Sequence, residues 1–174
     1  MRRDIVKGKT RYISILIVIF ICIVSDQVTK KIASALIKSS PPISYWGDFF
    51  RFQYAENTGA MLGFGAELPD PWRFLLLTVG VGVLLIALLI FVFFSRKLTN
   101  AQMIALSLIS GGGISNFIDR VLNNGSVVDF MNMGIGWLRT GIFNVADVQI
   151  MVGLGMILLF GEWTEKRKKV ETAE

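Results

Sequence analysis

From Phe74 to Phe94 the chain carries no charge, and as a helix this stretch is long enough to cross a bilayer with some tilt. A helix that is apolar all round has no place on the surface of a soluble domain. Three further runs repeat the theme. Tyr12 to Val24 is apolar, and Val28, Ile32 and Leu36 extend it at helical spacing. Ala101 to Ile118 is uncharged and gives ~27 Å of helix. Gly141 to Phe160 is apolar except for Asn144, Asp147 and Gln149. Asp70-Pro71 reads as a helix start, with Asp as N-cap and Pro at the first helical position.

The expected fold is an all-α membrane bundle in one domain, 1–174, with four transmembrane helices over about 12–36, 72–94, 101–118 and 141–160 and outer loops over about 37–71 and 119–140. A basic start before a short apolar run also suits a signal peptide, but no small-x-small cleavage site follows, so an uncleaved first helix is expected. Phe50-Arg51-Phe52-Gln53-Tyr54 alternates apolar and polar, so the first outer loop is expected to form a small sheet on the membrane surface. Tyr45, Trp46, Phe49 and Phe50 suit an interfacial belt there.

The net charge of +5 does not point to nucleic acid, because the basic residues flank apolar runs. Most of them fall at the N-terminus, at Arg96-Lys97 and at Lys166 to Lys169, which orients both termini to the cytoplasm. Asp26, Asn57, Asn116, Asp119, Arg120, Asp129, Asn144 and Asp147 then all lie at the opposite, outer face. The charge count does not require that convergence, so it independently marks a site.

The chain has no histidine and one cysteine, Cys22, set in an apolar run. Histidine-based nucleophile systems and proton shuttles are excluded, as is an internal disulfide. No metal site or cofactor motif is visible. Acids at membrane depth are costly and are read as functional. Asp147 falls roughly 9 Å into the fourth run, and the Gly- and Asn-rich segment before it can fold Asp129 back onto it. Two carboxylates in a small, partly dry site share one proton. The ionised member can activate water while the other protonates a leaving amine, so amide hydrolysis is open to this chain.

Plainer roles exist for each residue. Asp129 can be a turn residue, and Asp147 can pair with Arg120 or Arg139 or relay protons. Asn116 and Asn144 can tie helices together. Gly111-Gly112-Gly113 can serve close helix packing, and Asp26 with Lys30 can be a local surface ion pair.

Four ordered blocks resemble the lipoprotein signal peptidase (signal peptidase II) family. They are Asp26-Gln27-Val28-Thr29-Lys30, Asn57-Thr58-Gly59-Ala60, Gly111 to Arg120 with Gly125 to Phe130, and Phe143-Asn144-Val145-Ala146-Asp147. Met61-Leu62, Gly113 and Ser115 differ from the family pattern without touching an acid. The resemblance implies a membrane aspartic endopeptidase that cuts diacylglyceryl-modified prolipoproteins before the lipidated cysteine. It assigns catalysis to Asp129 and Asp147. It implies substrate binding or site bracing by Asp26, Lys30, Asn57, Gly59, Gly112, Asn116, Arg120 and Asn144. The expected setting is a bacterial inner membrane, with membrane lipid and prolipoprotein as partners, no nucleic acid and no second subunit. A small ion-coupled transporter and a non-enzymatic membrane scaffold are the competing readings.

Overall fold

A computed structural model of the chain describes residues 8–60, 65 and 67–161. The basic N-terminal residues Arg2, Arg3 and Lys7, the Met61-Leu62 step and the basic C-terminal tail lie outside the described residues. Helix α1 is Lys9–Ile37, followed by strands β1 (Ile43–Tyr45) and β2 (Phe50–Asn57). Helix α2 (Asp70–Phe74), a π-helical stretch (Leu75–Gly80) and α3 (Val81–Phe94) follow one another. Next come α4 (Asn100–Leu122), β3 (Val127–Ile135), β4 (Leu138–Arg139) and α5 (Val145–Gly161).

Three helical stretches are long and apolar enough to cross a membrane: Lys9–Ile37, Asp70–Phe94 and Asn100–Leu122. Val145–Phe160 is a shorter apolar helix. Large apolar side chains such as Phe20, Leu84 and Leu158 point outward, as lipid-facing surfaces require. Inside, Ile15, Ile19, Val92 and Met103 form a buried cluster that joins α1, α3 and α4.

Helix α4 is the axis of the bundle, packing against α1, α3 and α5. It starts on a capping box, in which the Thr99 hydroxyl accepts the Gln102 N–H and the Gln102 side chain accepts the Thr99 N–H. Its three consecutive glycines each meet a different helix. A Cβ at Gly111 would stand 2.5 Å from Cys22 Cβ on α1, one at Gly112 2.6 Å from the Ala146 carbonyl on α5, and one at Gly113 2.5 Å from Leu85 Cδ2 on α3. Close packing is therefore what the triplet does.

Several boundaries differ from expectation. Helix α4 runs on through Asp119 and Arg120, because both are buried inside the assembly rather than facing lipid. The last helix begins at Val145, not Gly141, since residues before it pair with β3. The second span has Pro69, not Asp70, at its N-cap position. The sheet is four-stranded and antiparallel in the order β1-β2-β3-β4. Half of it comes from the connection between α4 and α5, which was expected to be loop. Because β2 pairs with β3, both connections meet at one end of the bundle. There Phe130 packs with Ala33 and Ile37 of α1 and with Val145 of α5, locking the sheet to the helices.

The deepest polar feature below this sheet is an ion cluster. Lys30 Nζ lies 2.7 Å from Asp26 Oδ2 and 2.9 Å from Asp119 Oδ2, and all three residues are almost wholly buried. The Asp26–Lys30 pair is thus no surface pair. Asp26 also accepts the Ser115 hydroxyl at 2.7 Å and the Ala146 N–H at 2.8 Å. Asp119 accepts the Val128 N–H at 3.0 Å and the Gln27 amide at 2.8 Å. One cation thereby ties α1, α4, β3 and the start of α5 together. Removing one partner of a buried ion cluster strands the others. Lys30→Met, which leaves two buried carboxylates uncompensated, is expected to lose about 3–5 kcal/mol of stability. Thermal unfolding in detergent checks this, and an unchanged midpoint contradicts it.

Candidate active site

Asp129 sits in the middle of β3, paired with Ala55 of β2 just past a register shift between Phe52 and Ala55. It is almost fully buried. Its Oδ2 accepts the Asn57 side-chain amide at 3.0 Å, and its Oδ1 accepts the Asn144 amide at 2.6 Å. A turn or cap role does not describe it.

Asp147 lies in the first turn of α5, shallower in the helix than expected. Asn144 precedes the helix and caps it reciprocally. The Asn144 Oδ1 accepts the Asp147 N–H at 2.9 Å, and Asp147 Oδ2 accepts the Asn144 N–H at 3.1 Å. A capping box therefore fixes the orientation of the carboxylate. Asp147 Oδ1 accepts the Asn116 amide at 2.9 Å. Asn144 bonds both acids, one through its side chain and one through its backbone. It also donates to Asn116 Oδ1 at 3.0 Å, an oxygen that in turn accepts Lys30 Nζ at 2.8 Å.

Neither Arg120 nor Arg139 pairs with Asp147. Arg120 donates to the Gly59 carbonyl at 2.7 Å and the Gly125 carbonyl at 3.0 Å, clamping the loop after β2 onto the turn before β3. Gly59 in turn donates its N–H to Asn57 Oδ1 at 2.9 Å, which sets the Asn57 amide toward Asp129. Arg139 is engaged by Asn132 and Asp48. Among the described residues no cation forms an ion pair with either Asp129 or Asp147.

Both acids line one cavity of about 520 Å³, together with Asn57, Asn116 and Arg120. Val127, Met133, Ile142, Phe143, Val148 and Met151 supply most of the remaining wall, so the polar groups stand in an apolar chamber. Burial there pushes the Asp129 carboxyl up to about 7. The negative charge of Asp147 adds to the rise, and hydrogen bonds from Asn57 and Asn144 partly oppose it. A carboxyl that keeps its proton near neutrality can act as an acid beside a second carboxylate. Among the described residues no cluster of three or more His, Cys, Asp or Glu side chains is placed to hold a metal ion.

The structure brings Asn57, Asn116, Arg120, Asp129, Asn144 and Asp147 together at the cavity or directly behind it. Asp26, Lys30, Gly59 and Gly112 stand further back, where they support that inner group. Sequence reasoning gave no role in the site to three contributors. Ser115 and Gln27 fasten the acids of the ion cluster, and Asp119 is a member of it. Their signal was the helical spacing that puts Ser115 and Asp119 on one face of α4, four residues apart.

A family model described as signal peptidase (SPase) II matches residues 18–161. A lipoprotein signal peptidase of Chlorobium luteolum is 40% identical over 147 residues, spanning 79% of this chain and 84% of that protein. One of Borrelia hermsii is 35% identical over 157 residues, spanning 87% and 91%. Among solved structures, a bacterial membrane enzyme determined by the in meso method at 2.3 Å resolution superposes with a TM-score of 0.71 at 29% identity, covering 88% of this chain and 90% of that one. A second, at 1.9 Å resolution, gives a TM-score of 0.68 at 27% identity over 86% and 92%. Matched along most of its length by sequence and by fold, this chain belongs to the signal peptidase II family of membrane proteases.

Proposed function

We propose that this chain is an aspartic endopeptidase that removes the signal peptide from diacylglyceryl-modified prolipoproteins, cutting before the lipidated cysteine. One observation carries the reading: two carboxylates from different elements line a single apolar cavity, joined through Asn144, with no cation among the described residues paired to either. The relatives are named lipoprotein signal peptidases, which points to lipoprotein precursors, and the sequence blocks imply the lipid modification.

In the proposed mechanism Asp129 holds the proton of the pair and Asp147 is ionised. Asp147 takes a proton from water as the water oxygen attacks the scissile carbonyl carbon. Asp129 gives its proton to the carbonyl oxygen, forming a tetrahedral diol. Collapse of the diol breaks the C–N bond, with one proton passing to the leaving amine and one carboxyl left protonated. Asn57, Asn116 and Asn144 hold the acids in place beforehand, so little reorganisation accompanies reaction. Arg120 braces the loop over the site.

The proposed topology counts α5 as a fourth span, giving both termini a cytoplasmic position and the site an outer one. The sheet, made of both connections at one end of the bundle, then lies at the outer surface of a bacterial inner membrane.

Asp129→Asn and Asp147→Asn are each expected to abolish cleavage of a purified diacylglyceryl-modified prolipoprotein, read by gel shift, while the variants stay folded in detergent. Substantial cleavage by either would sink the dyad, and retained membrane assembly without any wild-type cleavage would favour the scaffold reading.

Acidity gives a second test. Asp129 is raised above its ordinary 3.8 to about 7, so folding favours its protonated form. That contribution to stability is complete below the ordinary value and is lost as pH climbs through about 7. Activity should fall over the same alkaline limb, because the acid member loses its proton. Asn57→Ala removes a donor that favours ionised Asp129, so it should move the limb to higher pH. A shift to lower pH in the kcat/KM profile would contradict the assignment.

A further inference from the structure

One side of the cavity is formed by a continuous run of chain. Thr140, Gly141, Ile142 and Phe143 line it in succession. Their inner edge is paired with β3: the Thr140 N–H donates to the Met133 carbonyl at 2.7 Å, and Phe143 and Met131 exchange bonds of 2.7 and 2.9 Å. Between these two pairs β3 contributes one residue, Asn132, whereas the facing segment contributes two, Gly141 and Ile142. That is a β-bulge, a device that re-aims backbone beside active sites.

Asn132 shapes the bulge. Its amide donates to the Thr140 carbonyl at 2.6 Å and more distantly to the Gly141 carbonyl at 3.5 Å. Its Oδ1 accepts Arg139 Nε at 2.5 Å, and Arg139 is anchored to the Asp48 carbonyl at 2.8 Å in the turn between β1 and β2. Asn132 is itself buried.

The bulge leaves three main-chain groups over. The N–H of Gly141 and the N–H and carbonyl of Ile142 have no partner among the described residues. Gly141 and Ile142 are half-buried, so these groups meet water until a ligand with matching groups displaces it. A ligand that presents alternating N–H and carbonyl groups is an extended peptide, docked as an added strand.

We propose that the Gly141–Ile142 bulge is a main-chain ladder that holds the substrate extended across Asp129 and Asp147, and that Asn132 is the positioning residue that forms it. This rests on the peptidase reading. The ladder binds backbone rather than side chains, so it accepts many sequences on either side of the cleavage point.

The test uses synthetic diacylglyceryl-modified prolipopeptides, each with one backbone amide other than the scissile one replaced by an ester. With wild-type enzyme, esters at one or two positions within about three residues of the cleavage point should each lower kcat/KM about tenfold, mostly through KM, while distant esters are neutral. In Asn132→Ala the all-amide substrate should show a raised KM, and the same ester penalties should shrink to about twofold. Cleavage with no ester-sensitive position, or full penalties retained in Asn132→Ala, overturns the ladder and leaves the peptidase reading intact. Failure of wild-type enzyme to cut the all-amide substrate overturns that reading and the ladder with it. Should Asn132→Ala not fold, the wild-type ester series decides alone.

Discussion

Lys30 carries its ammonium into the interior of a bundle whose outer surface is apolar, and two buried carboxylates hold it there. Such a cluster is stable only while every member is satisfied, which forces precise placement of whatever bears the partners. Asp26 reaches the backbone at the start of α5, and Asp119 reaches the backbone of β3 one residue before Asp129. The same ammonium bonds Asn116, whose amide bonds Asp147. Both acids of the cavity are therefore positioned from behind by one charge.

Around that anchor the site is assembled from weak, directional contacts rather than ion pairs. Three asparagines supply the donors, and an asparagine side chain can donate and accept at once. Asn144 uses all of this capacity, capping α5 while bridging the two acids. Among the described residues no cation pairs with either carboxylate, and burial holds the Asp129 carboxyl up at about 7. An arginine at salt-bridge distance would instead favour its ionised form.

Much of this was legible in the residues. Apolar runs announced the helices, and the gathering of Asp, Asn and Arg at one face announced the cavity. Other parts were hidden for physical reasons. Asp119-Arg120 looked like the end of a span because lipid rejects charge, yet a bundle interior with Lys30 and backbone carbonyls accepts it. Asn144 and Asp147 have capping-box spacing, but Ile142-Phe143 ahead of them read as continuing helix. The strand Val127–Ile135 depends on pairing with β2, some seventy residues away, and no local pattern encodes such a register. The bulge at Gly141 exists only in the pairing of this segment with β3, so nothing in the segment itself reveals it.

The glycine triplet of α4 has a consequence for how such a chain can change over time. Gly111, Gly112 and Gly113 face three different helices, and Asn116, Asp119 and Arg120 follow at fixed angles around the same axis. Inserting or deleting a single residue here would rotate everything beyond it by about 100°. That would turn each glycine toward the wrong neighbour and swing Asn116 away from Asp147 together with Asp119 away from Lys30. A substitution in this stretch disturbs one contact at a time, whereas a change of length displaces all of them together. Homologous chains are therefore expected to keep an invariant spacing from Gly111 to Arg120, and length variation should collect in the hairpin turns of the sheet.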